Sequence, residues 1–147
     1  IIIARSQPKG LSDSMHFYQL KDFGQIPAFV ASLGIGKDTD AFSCLGTTVK
    51  QAGSEDNFWQ VDLVYNLAFA EACRNKGVTR FFLLSAMGAN AQSRFFYNRT
   101  KGELEDAVNA LGFQELAIFR PSLLLGKHPH RTITAQVPTQ QRPPTMY

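Results

Sequence analysis

Three side chains capable of acid–base and hydrogen-bonding chemistry fall close together in the second half of the sequence. Tyr97 and Lys101 are four residues apart in a stretch of helical periodicity, so the phenol and the ammonium share one helix face. A free phenol has a pKa of about 10, and a neighbouring cation lowers it towards neutrality. Ser85 ends the preceding strand, where its hydroxyl is placed to bind a carbonyl oxygen while Tyr97 transfers a proton. The alternative is an exposed Tyr–Lys pair on a solvated helix face.

The elements that must position these side chains alternate between strands and helices up to about residue 126. This alternation is typical of a parallel sheet with crossover helices. Strands are predicted at 1–4, 15–20, 40–45, 78–84 and 116–119, and shorter helices at 26–33 and 95–111. The strand at 78–84 is apolar throughout, which favours burial on both faces. The longest helix is predicted over 57–76, with a helically spaced set formed by Trp59, Leu63, Leu67, Ala70 and Cys73.

Composition and charge exclude several classes of protein. A chain of 147 residues that is 44% hydrophobic fits one globular domain better than a disordered tail. No apolar run approaches the roughly 18 residues that a membrane span needs. The net charge of +3 comes from scattered basic residues, which argues against a nucleic-acid partner. Cys44 and Cys73 have neither CxxC spacing nor clustered histidines, so we expect no metal site and buried, reduced thiols in a cytoplasmic protein.

Polar residues follow several of the predicted strands. In an open parallel sheet, ligands bind beyond the carboxyl ends of the strands, so these residues are candidates for a binding site. For each one taken alone, an ordinary turn or helix cap is the simpler interpretation. The candidates are Arg5, Asp22, Gly46, Thr47, Thr48, Ser85, Pro121 and Ser122.

Residues 40–126 resemble the short-chain dehydrogenase/reductase superfamily, and within it the atypical branch that includes the NAD(P)H-binding Tat-interacting protein family. Four segments carry the resemblance in order: 41–48 (AFSCLGTT), 81–89 (FFLLSAMGA), 96–103 (FYNRTKGE) and 119–126 (FRPSLLLG). They resemble the family's cofactor loop, serine strand, Tyr–Lys helix and nicotinamide-side segment. The resemblance implies an α/β fold with a Rossmann-like doubly wound parallel sheet. It also implies an NAD(P)-binding domain, over 1–126. Residues 127–147 hold four of the seven prolines and show no clear period, so we predict an irregular tail there.

The resemblance assigns a role to each matching position. Ser85, Tyr97 and Lys101 would be catalytic, and Lys101 would also bind ribose. Arg5 would meet the adenosine ribose. An arginine there suits the 2′-phosphate of NADP better than the free hydroxyl of NAD, although NAD stays open as the cofactor. The other cofactor contacts would be Asp22 and Phe23 at the adenine, Gly46 and Thr47 at the middle, and Pro121 and Ser122 at the nicotinamide.

The sequence departs from the family at the phosphate-binding turn. The Gly-rich GxxGxxG, which follows the family's first strand, does not occur in the sequence. In the family that strand lies mid-sheet, between the strands that here begin at Ile1 and Asp40. Its loss would leave unpaired backbone groups on both sides. We therefore expect the fold to be incomplete at the N-terminus, lacking roughly 30 residues of strand, turn and helix.

Three functions follow from these observations. The first is an NADP-dependent oxidoreductase acting on a small-molecule carbonyl or alcohol through Tyr97, Lys101 and Ser85. The second is a regulator or scaffold that binds NAD(P)H without turnover. The third is a truncated product without activity. No nucleic-acid or membrane partner is expected, and a homodimer is left open.

Overall fold

The computed structural model describes residues 1–122 as a partial Rossmann-like α/β fold with two parallel sheets. Strand β1 (Ile2–Ala4) pairs with β2 (Phe17–Gln19) in one sheet. The second sheet has the order β3 (Asp40–Ser43), β4 (Arg80–Leu84) and β5 (Glu115–Phe119). Within 1–122 no ladder joins β1 to β3. The expected fold class is confirmed, and the predicted tail at 127–147 lies outside the described residues.

Helices connect β2 to β3, β3 to β4 and β4 to β5, whereas a loop without a helix joins β1 to β2. They are α1 (Ile26–Ser32), α2 (Val49–Ala52), α3 (Glu55–Trp59), α4 (Asn66–Asn75) and α5 (Phe96–Ala110). Between α3 and α4 the backbone stays helical through a π-helical turn, Gln60–Tyr65, so the helix predicted at 57–76 is present as one continuous helix. The short α2, whose first turn Thr48 caps, was not predicted. None of the helices in the described part of the chain has the length and apolarity required to cross a membrane.

The core lies on one face of the β3–β4–β5 sheet. Phe81 and Leu83 of β4 are fully buried there, against residues of α4 and α5. On the opposite face Phe82 stacks on Phe42 with ring centroids 4.5 Å apart, and Phe42 remains 60% exposed. The expectation that β4 is buried on both faces is therefore wrong for the described residues. The helices of 1–122 cover one face of this sheet, so side chains alternate between buried and partly exposed along the strand.

The buried stripe of the long helix agrees with the predicted one at Ala70 and Cys73 and differs from it at the other three positions. Trp59, the first member of the predicted stripe, is 41% exposed, and Leu63 and Leu67 are only half-buried. The π turn changes the angular spacing of the side chains, so periodicity calculated for a regular α-helix picks the neighbouring face. The fully buried positions are Phe58, Asp62, Asn66, Ala70 and Cys73.

Helix α5 packs closely on the loop that follows β4. Gly102 sits where the backbone of this loop crosses the helix, and a Cβ built there would lie 2.1 Å from the Ala91 nitrogen and 2.2 Å from the Asn90 carbonyl carbon. The Asn90 amide also donates to the Asn98 carbonyl oxygen at 2.9 Å. The absence of a side chain at Gly102 thus lets the loop rest directly on the helix.

We expect Gly102→Ala to destabilise the protein by about 1–3 kcal/mol, because the contacting atoms are backbone and cannot rotate away. This cost exceeds the gain of up to about 1 kcal/mol that alanine normally brings to a helix interior. Urea unfolding followed by circular dichroism measures the difference. Gly34→Ala is the control: its Cβ would meet nothing within 4 Å, so it should be nearly neutral. A Gly102→Ala protein as stable as wild type would contradict the close packing.

The two cysteines differ in accessibility, which corrects the expectation that both are buried. Cys44 is exposed just after β3, whereas Cys73 is 1% exposed in α4, and both are free thiols. Burial raises the pKa of Cys73 from 9.0 to about 12.

A disulfide-exchange reagent at pH 8 should therefore titrate Cys44 in the native protein and reach Cys73 only in denaturant. Rapid native reaction of both thiols, checked against Cys44→Ala, would contradict this burial.

Candidate active site

A cleft of about 300 Å³ opens at the carboxyl ends of β4 and β5. Parallel strands bring their carboxyl ends to the same sheet edge, and the start of α5 closes the side. Four of the predicted site residues, Ser85, Tyr97, Pro121 and Ser122, meet there. The lining residues are Leu84, Ser85, Ala86, Met87, Tyr97, Pro121 and Ser122.

Backbone hydrogen bonds beyond the strand ends hold the cleft walls together. The Ser85 amide donates to the Phe119 carbonyl oxygen at 2.8 Å, and the Met87 amide donates to the Pro121 carbonyl oxygen at 3.2 Å. Arg120, between these acceptors, binds the buried Glu105 of α5 through its guanidinium, with Nε 3.0 Å from Oε1. The Glu105 carboxylate raises the pKa of Arg120 above its usual value. The chain after β5 is thereby attached both to β4 and to α5.

Ser85 contributes an unpartnered hydroxyl to this wall. The residue is 7% exposed, and its Oγ has no hydrogen-bond partner among the described residues. A buried hydroxyl without a partner costs free energy, so such groups in native proteins usually await a water or a ligand. Ser85 Oγ therefore has hydrogen-bonding capacity that the described residues leave unused, although the oxygen itself is buried.

Tyr97 lies in the first turn of α5 and is 39% exposed, with its ring centroid 5.5 Å from that of buried Phe58. Burial and the Asp62 carboxylate raise the pKa of Tyr97 above its usual value. The expectation that Lys101 lowers this pKa is wrong for this structure. The physical reasons are the burial of the phenol, which disfavours its charged form, and then the Asp62 carboxylate, which opposes a second negative charge nearby.

Lys101 forms an ion pair at the back of the site. Its Nζ lies 2.6 Å from Oδ1 of Asp62, and both side chains are almost completely buried, at 6% and 0% exposed. The second carboxylate oxygen, Oδ2, accepts a hydrogen bond from the Thr47 amide at 2.8 Å. Gly46 lies against the pair, since a Cβ there would be 3.4 Å from Oδ1 and 3.8 Å from Nζ. The predicted residues Gly46, Thr47 and Lys101 thus converge on Asp62.

Asn66, one turn beyond Asp62, ties the π turn to the end of β3. Its Oδ1 accepts from the Ser43 hydroxyl at 2.5 Å, and its Nδ2 donates to the Leu45 carbonyl oxygen at 3.3 Å. The same amide group reaches the carbonyl oxygens of Val61 at 3.0 Å and Asp62 at 3.2 Å within the turn. These bonds fix the segment that carries Asp62, which fits the frequent use of π turns at functional sites.

Sequence reasoning missed Asp62 and Asn66. Both are polar residues on a helix that otherwise buries Phe58, Ala70 and Cys73, and they are spaced four residues apart. A buried carboxylate requires a partner, so an Asp among apolar helix positions was a signal that could have found the site. The predicted stripe was drawn from apolar positions alone and therefore did not include Asp62.

A second group of predicted residues lies at the carboxyl ends of β1 and β2. The Arg5 guanidinium is stacked 5.0 Å from the Phe23 ring centroid. The residues on either side of Arg5 in sequence are exposed or half-buried, and Asp22 is exposed. Phe23 is 6% exposed and packs edge-on against Tyr65. The Asp22 carboxylate accepts from the Gly24 amide at 2.8 Å and caps the following turn. Arg5 therefore presents a cation at this edge of the sheet, and its guanidinium covers the Phe23 ring.

Comparison with known proteins finds relatives but no matching family model. The chain is 40% identical over 136 residues to the mitochondrial protein FMP52-2 of Scheffersomyces stipitis, covering 92% of this chain and 59% of the relative. It is 47% identical over 85 residues to mitochondrial FMP52 of Candida albicans, covering 58% of this chain and 37% of the relative. It is 46% identical over 84 residues to HTATIP2 of Rattus norvegicus, covering 57% and 34%.

These similarities correct the expected cellular location and give only partial support to the family resemblance. The predicted cytoplasmic location is wrong, because relatives 40–47% identical to this chain are named as mitochondrial proteins. The chain spans less than two thirds of the length of these relatives. The relatives support the resemblance to an atypical dehydrogenase/reductase branch loosely and do not confirm it. Over most of its own length the chain is similar to mitochondrial FMP52 proteins, and over a shorter stretch to HTATIP2.

Proposed function

We propose that this chain is the nucleotide-binding part of an NADP-dependent oxidoreductase of the short-chain dehydrogenase type. The observation that carries the proposal is the convergence of Ser85 and Tyr97 on one cleft, with Lys101 one helical turn beyond Tyr97. A serine hydroxyl, a phenol and a buried ammonium at the carboxyl edge of a parallel sheet suit proton transfer to or from a carbonyl or alcohol.

The described residues suit the two ends of a dinucleotide. The unpartnered Ser85 hydroxyl, with Pro121 and Ser122 beside it, suits the nicotinamide end. Arg5 and Asp22, at the carboxyl ends of β1 and β2, suit the adenosine end, and the Arg5 cation favours the 2′-phosphate of NADP over the free hydroxyl of NAD. Gly46 and Thr47 lie between these groups along the chain and would line the middle of the cofactor. A bound nicotinamide would supply the hydride.

The chain's own residues would orient the carbonyl and move the proton. Ser85 Oγ donates to the carbonyl oxygen of the substrate, which fixes the oxygen near the Tyr97 hydroxyl. The raised pKa keeps Tyr97 protonated near neutral pH, so its phenol is available as the proton donor. The uncharged lining of the cleft, from Leu84, Ala86, Met87 and Pro121 besides the hydroxyl groups, suits a small neutral substrate.

The second candidate is a protein that binds NAD(P)H without turnover. The observation that favours it is the ion pair of Lys101 with Asp62, because a compensated lysine no longer assists Tyr97 in forming a phenolate. Such a protein would use the same cleft and the same edge for binding alone. The names of the FMP52 relatives support a mitochondrial location for either function.

We expect Tyr97→Phe in the full-length protein to lower kcat for carbonyl reduction by on the order of 10²–10⁴, because it removes the proton donor and keeps the ring against Phe58. Stopped-flow or steady-state oxidation of NADPH with a panel of aldehydes and ketones measures the rate. Tyr18→Phe is the control, since Tyr18 lies on β2 against Phe29, outside the cleft. Binding of NADPH without turnover in the wild type would favour the second candidate, and turnover indifferent to Tyr97→Phe would contradict the first.

We expect Arg5→Ala to weaken NADPH binding by about 10- to 150-fold and to leave NADH binding nearly unchanged. The reason is the loss of a charged hydrogen bond, worth about 1.5–3 kcal/mol, to the 2′-phosphate. Fluorescence titration of the full-length protein with both cofactors measures the two affinities. Lys21→Ala removes another exposed cation next to Asp22 and serves as the control. An unchanged preference in Arg5→Ala would overturn the assignment.

A further inference from the structure

The loop after β4 carries a methionine that has no role in the proton transfer described above. Met87 lines the cleft and is 64% exposed. Single exposed apolar side chains are common on protein surfaces, so exposure alone assigns no role to this residue. Met87 differs from such residues because it stands in the cleft wall, two positions after Ser85. Its apolar surface therefore faces the space in which a ligand would lie.

The backbone of Met87 is fixed, although its side chain is exposed. Its amide donates to the Pro121 carbonyl oxygen at 3.2 Å, and the Ala89 amide donates to the Ala86 carbonyl oxygen at 3.2 Å. The second bond closes a four-residue turn in which Gly88 has a φ of 81° and Met87 has no positive φ. This combination defines a type II turn with Met87 at its second position. The turn thus holds the methionine at a fixed place relative to the chain after β5.

No charged side chain lines the cleft in the part of the chain that the structure describes. Two cations lie close to it along the chain, and both are already paired. Lys101 contacts Asp62, and Arg120 contacts Glu105. A carboxylate or phosphate in the cleft would lose hydrating water without gaining a cationic partner, which is unfavourable. An apolar group placed against Met87 gains free energy when water leaves both surfaces.

We propose that Met87 forms an apolar subsite that selects carbonyl compounds with an uncharged alkyl or aryl substituent over those with a carboxylate or phosphate. The carbonyl rests on the proposed function, whereas the apolar subsite is a property of the cleft alone. The chain after β5 is the proposed nicotinamide wall, which leaves the loop after β4 to the substituent. A flexible thioether adapts to different apolar shapes, so we expect selection by charge more than by shape. The volume of about 300 Å³ suits a small substituent.

The first test is NMR of the methionine methyl groups in the full-length protein without cofactor. The probes are methyl isoamyl ketone and levulinate, which share the carbonyl and the number of non-hydrogen atoms, while an isopropyl group in the ketone replaces the carboxylate. Loss of a signal in Met87→Leu identifies the Met87 methyl group. We expect the ketone to shift this signal saturably and levulinate at the same concentration to leave it in place. Met15, which is 49% exposed and does not line the cleft, is the internal control and should respond to neither probe.

The second test replaces the side chain and follows the probes by ligand-observed saturation transfer. Met87→Ser should weaken binding of the ketone by about 3- to 10-fold, because it removes apolar contact surface, and Met87→Leu should retain binding. Met87→Lys should bind levulinate more tightly than the wild type does. Met15→Ser is the matched control and should change neither affinity. Because Met87 is exposed, these substitutions leave the packed core intact.

Equal binding of levulinate and the ketone to the wild type, or undiminished ketone binding in Met87→Ser, would overturn the inference. Oxidation of NADPH with the same ketone is measured separately. Ketone binding at Met87 without oxidation of NADPH would contradict the proposed oxidoreductase and still support the apolar subsite, so the two failures are distinguishable.

Discussion

The buried ion pair between Asp62 and Lys101 is the interaction on which the site depends. It joins the long helix to α5 at 2.6 Å, and through the Thr47 amide it also fixes the loop after β3. Two charges without water can persist only if each keeps its partner, so movement of any one of these elements is costly. The ion pair therefore couples the position of the loop after β3 to the position of the helix that carries Tyr97.

The sheet supplies the second constraint. Because β3, β4 and β5 are parallel, the segments after them leave at the same edge, and the Ser85–Phe119 and Met87–Pro121 hydrogen bonds extend the ladder into the loops. The loop after β4 then rests on Gly102 of α5. Together these contacts set the distance between the strand that presents Ser85 and the helix that presents Tyr97. The arrangement of the cleft is thus produced largely by packing of backbone on backbone.

Much of this arrangement is predictable from the sequence, and the rest is not, for identifiable reasons. The meeting of Ser85 with Tyr97 follows from parallel strand order and from helical spacing, which local patterns report well. The ion pair was missed because the predicted stripe was drawn from apolar residues alone, so Asp62 was not considered as a buried position. The predicted direction of the Tyr97 pKa shift was also wrong, since the shift depends first on burial of the phenol and then on a carboxylate far away in sequence. Exposure of Cys44 and Phe42 depends on which sheet face the helices cover, and a strand's own residues do not specify this.

The π turn changes the angular position of the side chains around the axis of the long helix. Phe58, Asp62, Asn66 and Ala70 follow one another at steps of four residues, yet all are buried. In a regular α-helix each such step overshoots a full turn by about 40°, so three steps would spread these side chains over about 120°. The wider turn absorbs part of this overshoot and keeps apolar and polar members of the stripe pointing inward. Deleting one residue between 60 and 65 would restore regular helix and rotate everything beyond it, so the length of this segment is under tighter constraint than its composition.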